Sequence, residues 1–183
     1  MFVLHDKVVY PGHGAANISR IIEKKVMGIQ TTFFELEFVN KDMTILIPVH
    51  SISTVGIRKL SSHDNIKEIF KMLSEPVSKL HCELNASNWN KRNKEYQCKI
   101  RTGNINEIGK IYRDLRHIAT YKELSFGEKN LLQQTEGLLV EEISLVTHMP
   151  VEQAIEQVRV LCKNSELLVP LMVQSSSHVM SAP

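Results

Sequence analysis

A chain of 183 residues, 43% hydrophobic and 23% charged, has the composition of a folded globular protein and not of a disordered or fibrous one. Its net charge of +2 neither demands nor forbids a nucleic-acid partner, so the placement of the positive charge matters more than the total. Cys82, Cys98 and Cys162 stand far apart without a C-x-x-C pair, which argues for reduced thiols in a cytosol and against a disulfide framework or zinc site.

Residues 5 to about 58 read as strands. Lys7-Val-Val-Tyr10 ends at Pro11-Gly12-His13-Gly14, residues suited to a type II turn or a close relative. Ala15 to Ile22 follows, then a turn near Met27-Gly28. In Thr32–Val39, Phe34, Leu36 and Phe38 alternate with Phe33, Glu35 and Glu37, the period-2 pattern of a half-buried strand. Asn40-Lys-Asp42 turns the chain into Met43–Val49, and Ser53–Arg58 reads as the last strand. Pro48 cannot donate to a ladder, so this segment is either an edge strand open to strand addition or a core strand ending in proline. Short strands at this spacing predict a small, strongly bent sheet or barrel.

At Leu60 the period changes. Ser61-Ser-His-Asp-Asn65 supplies caps for a helix with Ile66, Ile69, Phe70 and Leu73 at helical spacing, ended by Pro76. Asn88–Ile100 is the next helix, stopping at Gly103. Asn104 caps a third, with Glu107 placed to reach back to the cap and a core stripe of Ile105, Ile108, Tyr112, Leu115 and Ala119. Ser125-Phe-Gly-Glu128 is a capping box opening a long helix with Leu131, Leu132, Thr135, Leu138, Leu139, Glu142 and Val146 on one stripe. Pro150 begins a final helix carrying Ile155, Val158 and Leu161, and from about Asn164 the chain reads as irregular. The expected division is a β module over 1–60, a helical module over 61–163 and a tail over 164–183.

Catalytic signals are weak. Gly12-His13-Gly14 lacks the spacing of a phosphate loop, and His13 has no Ser or Cys nucleophile in a motif beside it, so a small hydrolase is disfavoured. The eight histidines form no i, i+4 pair on a helix, which leaves a metal site unsupported. Met1–Lys7 lacks the pattern of a signal peptide, and no apolar run approaches the roughly 20 residues that span a bilayer. A cytoplasmic protein that is not an enzyme, with no cofactor, small-molecule substrate or membrane partner, is expected.

The positive charge does gather. Lys91, Arg92, Lys94, Lys99, Arg101, Lys110, Arg113 and Arg116 face only Glu95, Glu107 and Asp114 across the same window, a local excess of about +5 in a chain of +2, which is the footprint of phosphate contact. Trp89, the one tryptophan, opens this window. Among cations a flat apolar ring can wedge against a base step, where stacking contributes ~1–3 kcal/mol. On composition alone the residues favour the other reading, a Trp89 that anchors a core with the charges as its solvated face, since buried tryptophans and charged outer helix faces are both common.

Asp6–Gly14, Thr44–Pro48, Val55–Arg58, Asn88-Trp-Asn-Lys-Arg92, Arg113-Asp-Leu115 and Leu124-Ser-Phe-Gly-Glu-Lys129 occur in an order and spacing that resemble the CarD/CdnL regulators of bacterial RNA polymerase. The resemblance covers most of residues 5 to 160 and implies an α+β chain: a five-stranded Tudor-like (SH3-like) module followed by a compact all-α domain of about five helices. It implies that the first module docks on the polymerase β subunit, with Lys24, Val26, Leu36, Leu46 and Pro48 as contacts. It further implies that the second stabilises the promoter open complex at the upstream edge of the bubble through sequence-independent DNA contacts. Trp89 is then the wedge, with Lys91, Arg92, Lys94, Lys99, Arg101, Arg113 and Arg116 near phosphates. The chain departs from the family at Asn93, where relatives often carry an aromatic, and at Lys91 and Lys94, where arginine is frequent. Lysine lacks the planar fork for bidentate phosphate contact. A different reading is a Tudor-like interaction module bound to a repair or coupling factor, with no direct DNA role.

Overall fold

The structure, a computed structural model, describes residues 2–76 and 89–175. Cys82, Asn88 and the 176–183 part of the expected tail lie outside the described residues. The first module is a five-stranded antiparallel sheet. β1 (Lys7–Tyr10) turns into β2 (Gly14–Val26) at Pro11-Gly12, where Gly12 has φ 75° and the His13 N–H donates to the Tyr10 carbonyl at 3.0 Å. Those are the marks of a type II turn, in which proline sets the first central φ and glycine accepts the positive second. β2 passes into β3 (Ile29–Phe38) through Met27 and Gly28 at φ 50° and 86°, the two-residue hairpin whose twist matches its strands. β4 (Thr44–Pro48) and β5 (Arg58–Lys59) complete the order β4-β3-β2-β1-β5, so Pro48 sits on an edge strand. Val8, Ala16, Ile18, Phe34, Leu36, Phe38 and Ile47 form the core of this module.

The strand expected over Ser53–Arg58 survives only at its end. A 3-10 turn (Val49–Ser51) runs into α1 (Ile52–Val55), and Gly56, at φ 82°, donates its N–H to the Ile52 carbonyl at 3.0 Å. Ile52, Thr54 and Val55 favour strands as residues, but a left-handed glycine behind them closes a helical turn instead.

The helical module comprises, among the described residues, α2 (His63–Ser74), α3 (Trp89–Arg101), α4 (Ile105–Tyr121), α5 (Phe126–Thr147) and α6 (Val151–Ser175). Ser62 caps α2 by accepting the Asn65 N–H, Asn104 caps α4 by accepting the Asn106 N–H, and Ser125 with Glu128 forms the reciprocal box at α5. Glu107 does not reach back to its cap. Its carboxylate takes Lys110 at 2.6 Å and Lys99 at 3.1 Å, and these ammonium groups hold it below its ordinary pKa. Ala119 is exposed, and Ile111 and Ile118 fill the α4 stripe instead. α6 continues past Asn164 to Ser175, where an irregular chain was expected: Glu166, Leu167 and Leu168 are good helix formers, and the helix runs on through Pro170. Ile66, Leu73, Ile108, Tyr112, Leu139, Ile143 and Val158 form the main core.

The modules meet along a seam in which the Pro11-Gly12 turn abuts the end of α3. A Cβ on Gly103, itself at φ 67°, would stand 3.2 Å from Pro11 Cγ. Arg58 crosses the seam: Nη1 and Nη2 reach the two Glu142 oxygens at 2.6 and 2.7 Å, and Nε donates to the Gly103 carbonyl at 2.8 Å. The Ser61 N–H adds a bond of 2.9 Å to Glu142. Beside it, the buried Glu141 carboxylate lies against the Gly14-Ala15 backbone, so close to Gly14 that any Cβ there would collide with it.

Burial raises the Glu141 pKa above its ordinary value, against the pull of Ala15, Lys41 and Asn40. A carboxyl with a raised folded pKa contributes most below its unfolded value and loses that contribution as pH rises through the folded one, so its ionised form is a liability at neutrality. Glu141→Gln is therefore expected to raise the thermal midpoint at pH 7, with the gap closing toward pH 4. A midpoint difference that stays constant across that range would contradict this assignment.

Candidate functional site

α3 buries Arg92, Tyr96 and Ile100, one side of the helix at i, i+4 and i+8. Trp89 belongs to the same stripe three residues before Arg92 and packs against the Tyr96, Ile111, Leu115 and Leu131 cluster, but at the helix end it is only half-buried. The ring is held on two sides. The Arg92 guanidinium lies 5.4 Å from its centroid, and Gly127 stands so near that a Cβ there would approach the indole Cζ2 to 3.2 Å. One side of the ring is a core anchor, and the other is accessible to solvent.

Arg92 differs from the phosphate contact expected of it. Its side chain is 7% exposed, and Nη2 donates to Glu128 Oε1 at 2.6 Å. The basic run hid this, because position 92 falls on the core stripe while Lys91 and Lys94 fall on the solvent side. Glu128 is the hub of the arrangement. Oε1 also takes Lys122 at 3.0 Å, and Oε2 takes the Ser125 N–H and hydroxyl, each at 2.9 Å. Burial works to raise this carboxyl, but Ser125 and Lys122 outweigh it and hold the group below its ordinary pKa, so it stays ionised at neutral pH.

Of the other expected phosphate contacts, Lys91, Lys94 and Arg101 are exposed, and Lys99 is exposed but bridged to Glu107. Arg113 and Arg116 are half-buried, and Arg113 Nη1 is bound to the Met72 carbonyl at 2.7 Å, tying α4 to α2. Sequence reasoning missed Phe126. It is 81% exposed and directly precedes Gly127 in the chain, with Lys122 and Lys129 nearby in sequence. The signal was present: an aromatic at the first position of a capped helix, off the stripe of Leu131, Thr135 and Leu139, has no core to enter.

In the β module the register sorts the expected partner contacts by face. Phe33 pairs with Ile22 and Pro48, Glu35 with Arg20 and Leu46, Thr31 with Lys24, and Ile29 with Val26. Lys24, Val26, Leu46 and Pro48 therefore share the outer face, where Val26, Ile29 and Leu46 are exposed beside the half-buried Ile22 and Phe33. Leu36 does not belong there. It is 1% exposed and points into the core with Phe34 and Phe38, since alternate residues of a strand face opposite ways. A partner cannot touch it without opening the sheet.

No cluster of His, Cys, Asp or Glu among the described residues has the arrangement of a metal site, and no helix among them is long and apolar enough to cross a membrane. His13 is exposed in its turn, edge-on to Tyr10 at 5.1 Å.

Residues 2–61 match the family model for the CarD-like/TRCF RID domain, and residues 68–159 match that for the CarD C-terminal domain. A curated protein of Bacillus subtilis (strain 168), described as "Putative transcription factor YdeB", is 29% identical over 146 residues, which cover 80% of this chain and 92% of that protein.

Proposed function

The chain belongs to the CarD/CdnL family of transcription regulators, and from that premise we propose that it binds the β subunit of RNA polymerase and stabilises the promoter open complex through largely sequence-independent DNA contacts. The observation that carries the DNA half is the half-exposed Trp89 indole, fixed between Arg92 and Gly127. A ring on a rigid support presents a face for parted bases, while Lys91, Lys94 and Arg101 offer charge to the backbone. Arg92 holds the ring instead of a phosphate.

The polymerase half is supported by the outer face of the sheet. Val26 and Ile29 at the β2–β3 hairpin and Leu46 on β4 leave apolar side chains in water, and β4 is an edge strand whose free side can take up a partner strand. Lys24 on the same face supplies a charge to orient docking.

No reaction is needed for the effect. A protein that binds the melted promoter more tightly than the closed one shifts the equilibrium by that difference, and ~1.4 kcal/mol is a factor of ten. Docking on polymerase raises the local concentration of the helical module, so weak intrinsic DNA affinity suffices. Full-length protein is expected to retain the β subunit from its own cell lysate, and Leu46→Asp to lose that retention while remaining folded, since Leu46 is 40% exposed. Recovery of a repair or coupling factor in place of the β subunit would overturn the polymerase assignment. Added salt is expected to weaken the DNA step more steeply than the apolar docking step.

A further inference from the structure

The geometry points to Glu128 as the residue that positions Trp89, acting through Arg92, with the Gly127 backbone as the floor on which the indole rests. This rests on the reading of Trp89 as the DNA-contacting ring.

An exposed aromatic at a helix end ordinarily samples several rotamers, and each must be frozen when it stacks, at an entropic cost. Here the ring is fixed beforehand. Glu128 lies in the first turn of α5, oriented by its own capping box, so its Oε2 is committed to Ser125 and its Oε1 faces α3. That oxygen fixes Arg92, whose flat guanidinium lies over the indole as a cation on a ring face. On the α5 side only glycine allows the approach: a methyl at position 127 would require the indole to give way by a few tenths of an ångström. One carboxylate thus couples the cap of α5 to the orientation of a side chain on another helix. Lys122, on the same oxygen, adds a second positive charge, so the Arg92–Glu128 pair and its lysine together present a net positive charge beside the indole.

The arrangement accounts for features that a purely structural role leaves unexplained. A buried ion pair is seldom the most stabilising choice for a helix contact. Glycine in a helical first turn, where Ala is the better helix former, gains nothing locally. Both are accounted for if the product is a ring held in one pose.

Because Trp89 is the only tryptophan, its fluorescence reports this pose directly in the full-length protein. Gly127→Ala is expected to change the melting temperature little, since the gain in helix propensity is set against the indole giving way by a few tenths of an ångström, yet to increase acrylamide quenching of Trp89 several-fold. Glu128→Gln, which keeps an acceptor for the Ser125 N–H but loses the charge facing Arg92, is expected to do the same in its folded state at lower temperature. Both are expected to shorten open-complex lifetime on a promoter with the cognate polymerase. Unchanged quenching in the folded Gly127→Ala protein would overturn the positioning role, whatever Glu128→Gln does to stability. If Trp89→Ala shortens the lifetime while Gly127→Ala and Glu128→Gln leave it intact, positioning is likewise overturned. If Trp89→Ala also leaves it intact, the failure belongs to the DNA reading of Trp89 itself.

Discussion

Glu142→Ala is expected to destabilise the protein by about 3 kcal/mol, the lower end of what removing one partner of a buried ion pair costs, and to split its unfolding into two steps. The Glu142 side chain is 5% exposed and satisfied on both oxygens by the Arg58 fork, with the Ser61 N–H added. Removing it leaves a guanidinium facing a cavity, still bound to the Gly103 carbonyl but stripped of its counter-charge. Arg58 retains some access to water, which places the effect at the low end. The consequence for cooperativity follows from where the pair lies. β5 is a two-residue strand, and α5 is the long helix of the other module, so this pair and the neighbouring Glu141–Ala15 contact join two small cores that would each be thin alone. Urea unfolding followed by Trp89 fluorescence and by far-UV circular dichroism is expected to coincide in the wild type and to separate in Glu142→Ala. Coincident curves with an unshifted midpoint in the variant would show that the seam is held elsewhere. If the sheet docks on polymerase as proposed, a rigid seam would convert that docking into a fixed placement of Trp89, whereas a loose one would leave only an increase in local concentration.

How far the sequence revealed this arrangement depended on the range of the interaction. Features fixed by neighbours in the chain were legible: the Pro11-Gly12 and Met27-Gly28 turns, the alternation of Phe34, Leu36 and Phe38, and the Ser125–Glu128 box all require particular residues at particular offsets. Ser53–Arg58 misled because β-branched residues state a preference that a single left-handed glycine overrode. The site was legible by position but not by role. Lys91 and Arg92 are adjacent cations in the chain, yet 100° of helical rotation sends one to solvent and the other into the core. Leu36 failed for the corresponding reason in a strand, although the alternation of its neighbours already carried the answer. Arg58, Glu141 and Glu142 are the hardest case. Glu142 fell on the apolar stripe of its helix, which marked it as buried, but nothing local could pair it with an arginine 84 positions away.

Trp89→Ala is expected to produce the largest functional loss: a shortening of open-complex lifetime by between about 5-fold and about 150-fold, the range that ~1–3 kcal/mol of base stacking spans. Polymerase binding should persist, because the outer face that carries Val26, Ile29 and Leu46 belongs to the other module. The substitution also removes part of a core contact with Tyr96, Ile111 and Leu131, so a lower melting temperature is expected alongside and does not by itself explain a functional loss. Trp89→Phe separates the two effects. Phenylalanine still fills much of the core side but presents a smaller ring to the bases, so its melting temperature should fall near that of the wild type and its open-complex lifetime between those of the wild type and the alanine variant. Phe126→Ala makes the complementary test, since an 81% exposed side chain contributes almost nothing to packing and its loss should be felt only when DNA is present. A Trp89→Ala protein that remained folded, bound polymerase and held promoters open as long as the wild type would exclude the indole from the mechanism. The stabilising contacts would then have to be sought among Lys91, Lys94 and Arg101, whose contribution, being ionic, would vanish as salt is raised.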